Sequence, residues 1–285
     1  MTVAGTSAPR AGRPSGARAV IVAWLALAAS AGCGARVFTP PAGPGAPAPD
    51  AEARLAEATA RCRGASTFVG RTTLSGRAGP DSIPSVGIGA GLTRDGGIYL
   101  DAQGPFNRQV FWLSGRGDDA TLFLRDDNAY VVEPAPAIVE ALVGVPLGPD
   151  RLLAMLTGCI SRDLAVSEAA AYDGGELIRV TTGDATLYLR RRAGQWRVRA
   201  GEFDGLTVDL VEFGPAFPAD LRIVSGAGAA TPVDLRVRVS PPIRVNDAVN
   251  DELFTQQPPA GATLITLDDL RAAGPLRTRG GGARP

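Results

Sequence analysis

Val233-Asp234-Leu235-Arg236-Val237-Arg238-Val239 alternates apolar and charged residues without a break. Side chains on a strand point to opposite faces in turn, so this stretch buries one face and wets the other. That is the patterning of an antiparallel sheet, and Leu206, Val208 and Leu210 repeat it upstream. Working outward, strand candidates at hairpin spacing occupy 66–76, 84–94, 97–103, 108–114, 120–125 and 129–133. A second run occupies 176–182, 185–191, 195–201, 205–213, 219–225 and 232–240. Turn signals divide the first run at Asp95-Gly96-Gly97, Gly104-Pro105, Gly115-Arg116-Gly117-Asp118 and Asp127-Asn128.

Helical periodicity intervenes in three places. Asp50 is a suitable N-cap for a helix over 51–63 that places Leu55, Ala58 and Cys62 on one face, with Gly64 as its stop. Two short apolar helices separate the strand runs. One carries Ile138, Val139, Leu142 and Val143; the other starts at Pro149-Asp150 and carries Leu152, Leu153, Met155 and Leu156 before Gly158. Both are too apolar to lie free in water, so they are expected to cover an open face of the sheet. The expected fold is mainly β, about 11–12 antiparallel strands in a strongly curved sheet or incomplete barrel wrapped around the helices, which leaves an apolar cavity. Asp119-Ala-Thr-Leu-Phe-Leu-Arg125 returns as Asp184-Ala-Thr-Leu-Tyr-Leu-Arg190, which reads as two equivalent strands rather than a duplication.

The 285 residues contain no histidine and no lysine, so all 29 basic residues are arginine, set against 29 acids. This excludes a histidine relay, histidine-ligated zinc and a lysine Schiff base. A binding protein rather than an enzyme is therefore expected, with no cofactor and no metal. A surface hydrolase would have to use carboxylates such as Asp101 or Glu202, and the sequence offers it only unpaired acids. Zero net charge without a clustered basic face argues against nucleic acid. Asp118-Asp119 and Asp126-Asp127-Asn128 read as solvated hairpin turns, and Gly87-Ile88-Gly89-Ala90-Gly91 as a place where a sheet bends. Arg190-Arg191-Arg192 ends a strand and faces either solvent or lipid headgroups. Cys62 and Cys159 are expected to pair, the alternative being two buried thiols. Asp268-Asp269-Leu270-Arg271 fits a short helix capped at Thr266.

Residues 10–32 run from basic to apolar to small, the layout of a secretory signal over 1–32. The apolar run Ala19–Ala29 is shorter than the ~20 residues a bilayer span needs. Ser30-Ala31-Gly32-Cys33 resembles the bacterial lipobox, with serine where a branched apolar residue is usual, and implies lipidation at Cys33. Gly34, rather than aspartate, after that cysteine implies the outer membrane by the same resemblance. Residues 33–49, rich in Pro, Ala and Gly, read as an extended tether, 50–240 as the folded domain, 241–274 as a C-terminal extension packed on it, and 275–285 as a disordered tail.

Several stretches in order resemble the LolA/LolB family of outer-membrane lipoprotein localisation proteins. They are Gly104-Pro105-Phe106-Asn107 leading into Phe111-Trp112-Leu113, then Leu142-Val143-Gly144-Val145-Pro146-Leu147 running into Leu152–Gly158, then Gln195-Trp196-Arg197-Val198, then Phe217-Pro218. The resemblance covers roughly 51–240 and implies an unclosed barrel whose cavity receives acyl chains of lipoproteins or phospholipid. It implies a membrane-insertion loop at Pro105 and Phe106, the alternative for Phe106 being a ring folded into the core. It implies cavity-lining Phe111, Leu113, Leu122, Leu124, Trp196 and Val198, and a lid bearing Ile138, Leu142, Leu152, Met155 and Leu156. The implied partners are a periplasmic LolA-like carrier and a membrane reached through the lipid anchor, for a monomer facing the periplasm. Val110 and Trp112 would then need cover from outside, from Leu253-Phe254 or Leu264–Leu267.

Overall fold

The computed structural model describes residues 38–276 apart from 162, 227 and 230. The signal segment and Cys33 lie outside the described residues. Fifteen strands form one sheet: β1 (Ala46–Pro47), β2 (Thr67–Ala78), β3 (Asp81–Thr93), β4 (Gly97–Gln103), β5 (Gln109–Arg116), β6 (Asp119–Leu124), β7 (Ala129–Glu133), β8 (Glu168–Tyr172), β9 (Leu177–Thr181), β10 (Thr186–Arg192), β11 (Gln195–Phe203), β12 (Leu206–Phe213), β13 (Pro218–Ser225), β14 (Val233–Val245) and β15 (Thr263–Leu264). Their order is β1-β8-β9-β10-β11-β12-β13-β14-β2-β3-β4-β5-β6-β7-β15. The pairing of β14 with β2 joins the two meanders, and the sheet stays open between β1 and β15. Every pairing is antiparallel except that of β15 with β7.

The strand count exceeds the expected twelve for local reasons. Glu168-Ala-Ala-Ala-Tyr172 has no β-branched residue and favours helix by propensity, yet it pairs with β9. The two-residue strands β1 and β15 are too short to show a period. Strand β14 runs on to Val245, past Pro241-Pro242, because a bulge between Ser240 and Arg244 leaves the prolines out of the ladder.

Four helices accompany the sheet. Helix α1 (Ala51–Arg63) buries Ala51, Leu55, Thr59 and Cys62 and packs on β9, β10 and β11. Asp50 makes no side-chain cap bond; its carboxylate instead meets Arg54 at 3.6 Å. Helices α2 (Ala135–Val143) and α3 (Pro149–Thr157) end on left-handed glycines, Gly144 at φ +83° and Gly158 at φ +90°, where a side chain would be strained. Helix α4 (Leu267–Ala273) has a capping box between Thr266 and Asp269. Cys62 and Cys159 form a disulfide, Cα–Cα 5.5 Å, that ties the end of α1 to the end of α3.

The core lies on the inner face, where Leu113, Leu122, Leu187, Val208, Leu210 and Leu235 meet the helices. The outer face carries an arginine–carboxylate ladder. Arg222 donates to both oxygens of Asp234, at 2.7 and 2.6 Å, and Arg236 likewise grips the buried Asp220. The hydrogen bonds from Arg222 hold the Asp234 carboxyl below the usual 3.8, and the bond from Thr93, with Arg116 nearby, does the same for Asp95. These groups stabilise the fold fully above pH 3.8, and the contribution is lost as pH falls through their depressed native values. At the other end, burial beside Glu202 pushes Tyr188 up to about 12, so its contribution is lost as pH rises from 10 toward 12. With no histidine in the chain, thermal stability is expected to be flat between about pH 5 and 9, and a calorimetric step near pH 6.5 would overturn that.

Both ends of the described chain lie on the sheet. Residues 38–48, expected as part of a free tether, dock instead. The Phe38 N–H donates to the buried Asp209 Oδ2 (2.9 Å), and its ring packs on Tyr188 with centroids 4.7 Å apart. The Tyr172 hydroxyl donates to Gly43 O at 3.0 Å, and Ala46–Pro47 adds to β8. After β14 the chain crosses the outer face. Ser114 Oγ donates to Leu253 O (2.8 Å) and accepts from the Gln256 N–H (3.1 Å), while Phe254 is buried on β4 and β5. Trp112 on that face is buried, 5.7 Å from Phe123 by ring centroid.

Candidate functional site

Between the inner face of the sheet and helices α2 and α3 lies a cavity of about 100 Å³. Strands β2 to β5 supply Leu74, Ile88, Leu100 and Phe111, and strands β13 and β14 supply Leu221, Ile223, Leu235 and Val237. The lid supplies Val139, Leu142, Leu147, Leu152, Met155 and Leu156. Thr72 is the single polar side chain among the lining residues, and its hydroxyl donates to Ile88 O at 3.3 Å. A wall with no unsatisfied polar group offers a ligand only apolar area, worth roughly 25 cal/mol per Å². No group of three or more potential metal ligands occurs among the described residues.

The expected site residues divide. Phe111 lines the cavity, as do Leu142, Leu152, Met155 and Leu156 of the lid. Leu113, Leu122 and Leu124 are buried in the same core but do not line this cavity. Trp196 and Val198 do not line this cavity: they sit under α1, where the Trp196 N–H donates to Glu57 Oε1 (3.0 Å) and Arg54 lies 6.0 Å from the indole ring. The cause is α1 itself, which fills the β9–β11 half of the inner face. Ile138, on α2 itself, is buried in the core and is not on the cavity wall. The inward residues of β14 were readable from their alternation. Leu276 was not, because it falls in the Gly- and Arg-rich stretch expected to be a disordered tail, yet it is buried and lines the cavity.

The hairpin between β4 and β5 forms a second feature. Phe106 is fully exposed and has φ +60°, and Asn107 follows at φ +56°. A left-handed phenylalanine costs roughly 1–2 kcal/mol and gains nothing here from burial, so neither local preference nor packing accounts for it. The neck is braced. Gln103 Nε2 and Gln109 Nε2 donate to the two oxygens of Asp101, at 2.6 and 2.7 Å, and the Gly104 N–H donates to Arg108 O at 2.9 Å. Asp101 is thus occupied as a brace, and Glu202 accepts from the Tyr188 hydroxyl at 3.2 Å.

The described residues thus form an unclosed, almost wholly antiparallel sheet with short helices on its inner face, the architecture that the sequence resemblance implied. No family model matches the sequence, and no curated protein does. The chain is similar to a solved LolA superfamily protein from Nitrosomonas europaea, at 12% identity over 72% of this chain and 97% of that one, TM-score 0.47. It is similar to a DUF1329 family protein from Desulfovibrio piger, at 9% identity over 72% and 96%, TM-score 0.46. It is also similar to a domain from Vibrio parahaemolyticus named for outer-membrane lipoprotein sorting, at 12% identity over 72% and 97%, TM-score 0.44.

Proposed function

We propose that this chain is a non-enzymatic envelope lipoprotein, anchored through Cys33 in the outer membrane and facing the periplasm, that takes up acyl chains of lipoproteins or phospholipid and delivers them to the membrane. The observation that carries this is the apolar cavity under α2 and α3, whose single polar lining residue is satisfied within the wall. Phe106 is the element that enters the lipid surface, its ring held outward on a braced hairpin. A LolA-like carrier is the donor of cargo, and the chain acts as a monomer.

A second reading, an envelope scaffold of the same fold without cargo, is favoured by the cavity's size. About 100 Å³ is below the roughly 300–1,000 Å³ of ordinary ligand sites. Native mass spectrometry after mild extraction separates the two. Bound phospholipid or acylated peptide is expected for the carrier, and a ligand-free mass under conditions that retain lipid on a control lipoprotein would establish the scaffold.

A further inference from the structure

One wall residue of the cavity comes from neither the sheet nor the lid. Leu276 reaches it from the C-terminal side, along a route that changes faces. The segment after β14 is fastened on the outer face through Ser114, the buried Phe254 and an ion pair of Arg116 with Asp251 at 2.7 Å. It then rounds the sheet edge at β15, where the Thr263 N–H donates to Asn128 O (2.9 Å) and the Ile265 N–H to Tyr130 O (2.8 Å). From there α4 packs on α2, with Leu270 wholly buried and Leu276 buried beyond it.

The two halves of this strap are held differently. The outer half is fixed by directional bonds to the sheet. In the inner half, the Thr266–Asp269 capping pair and the Arg271–Asp268 pair close within the segment itself, while Leu270 and Leu276 enter the apolar core. Apolar burial is non-directional, so any aliphatic group of suitable size can replace it. The cavity is small in the state where Leu276 fills one side of it.

We infer that the inner half of the strap, Leu267–Leu276, and an acyl chain compete for one volume, so that cargo enters by displacing α4 and Leu276 while the outer half stays fastened. This rests on the reading of the cavity as an acyl site. Closure by the strap lowers the apparent affinity by the fraction of molecules that are open. It also keeps the apolar wall covered when no cargo is present. Acyl chains long enough to fill the vacated volume are preferred over short ones.

The test compares the full-length protein with a chain ending at Ile265 and with Leu276→Ala, using a dansylated fatty acid as fluorescent probe and palmitate as competitor. The truncated chain is expected to bind the probe about ten-fold or more tightly than the full-length chain, and Leu276→Ala to shift in the same direction by less. In the full-length protein, palmitate is expected to accelerate amide exchange at Leu270 and Gly274, whose N–H groups bond to Thr266 O and Leu270 O. That measurement decides the matter should the truncated chain fail to fold. Probe binding of equal strength in all three chains, with unchanged exchange at α4, would overturn the competition and leave the acyl site standing. No probe binding to any folded variant would overturn the acyl site itself, and the competition with it.

Discussion

A Phe106→Glu chain is expected to fold with unchanged stability and to lose delivery of acylated cargo to liposomes by ten-fold or more. The stability half follows from exposure: the ring touches nothing that the substitution would uncover, and surface changes of this kind stay within about 0.5 kcal/mol. The activity half follows from the interface, where a buried phenylalanine contributes about 1.5–3 kcal/mol and a carboxylate opposes entry. Phe106→Gly adds a control, because glycine accepts φ +60° without strain. It should leave stability unchanged or raise it by up to about 1 kcal/mol while still losing delivery, so that a loss of function cannot be traced to a loss of fold. Transfer of a fluorescent triacylated peptide from the loaded protein to vesicles measures both variants. Delivery at the native rate by Phe106→Glu would remove the loop from the mechanism.

Replacing Cys62 and Cys159 together by serine is expected to lower the free energy of unfolding by about 2–5 kcal/mol, read from urea titrations. The bond closes a separation of 97 residues, for which the chain-entropy model gives up to ~4.7 kcal/mol. It also pins one end of the lid. With the end of α3 held to α1, the α2–α3 connection, Gly144–Gly148, with its left-handed Gly144, is the proposed hinge for any opening of these helices. Amide exchange in α3 should therefore rise more than exchange in α2 when the bond is absent. A loss below about 1 kcal/mol would show that the paired state adds little to the native fold.

What was legible in the sequence follows the periodicity. The alternation of β12 and β14 named the inward face correctly because a one-residue slip would expose every apolar side chain in them. That α2 and α3 cover the sheet was legible because Leu142, Leu152, Met155 and Leu156 are too apolar to lie free in water. Trp196 and Val198 lie in the core under α1 rather than on the wall of the cavity beneath α2 and α3, since a strand pattern says which face a residue takes but not which helix covers it. Phe106 carried a local signal, the Gly-Pro turn, but the brace through Asp101, three residues before the turn, is marked by no periodicity. Leu276 had no signal in its neighbours at all; its burial is set by the length of the path around β15.

Under the proposed anchoring at Cys33, the docked N-terminal residues would change the scale on which the domain can search. A free proline-rich tether would let the domain range roughly 50 Å from its lipid at ~3.1 Å per residue. With Phe38 seated on Asp209 and Tyr188, five Cα steps separate it from Cys33, a contour of at most about 17 Å. Reach enters as a cube, so the accessible volume contracts about 25-fold and the effective concentration of the domain at the membrane rises accordingly. Anchored as proposed, the domain would work as a moored vessel to which cargo is brought.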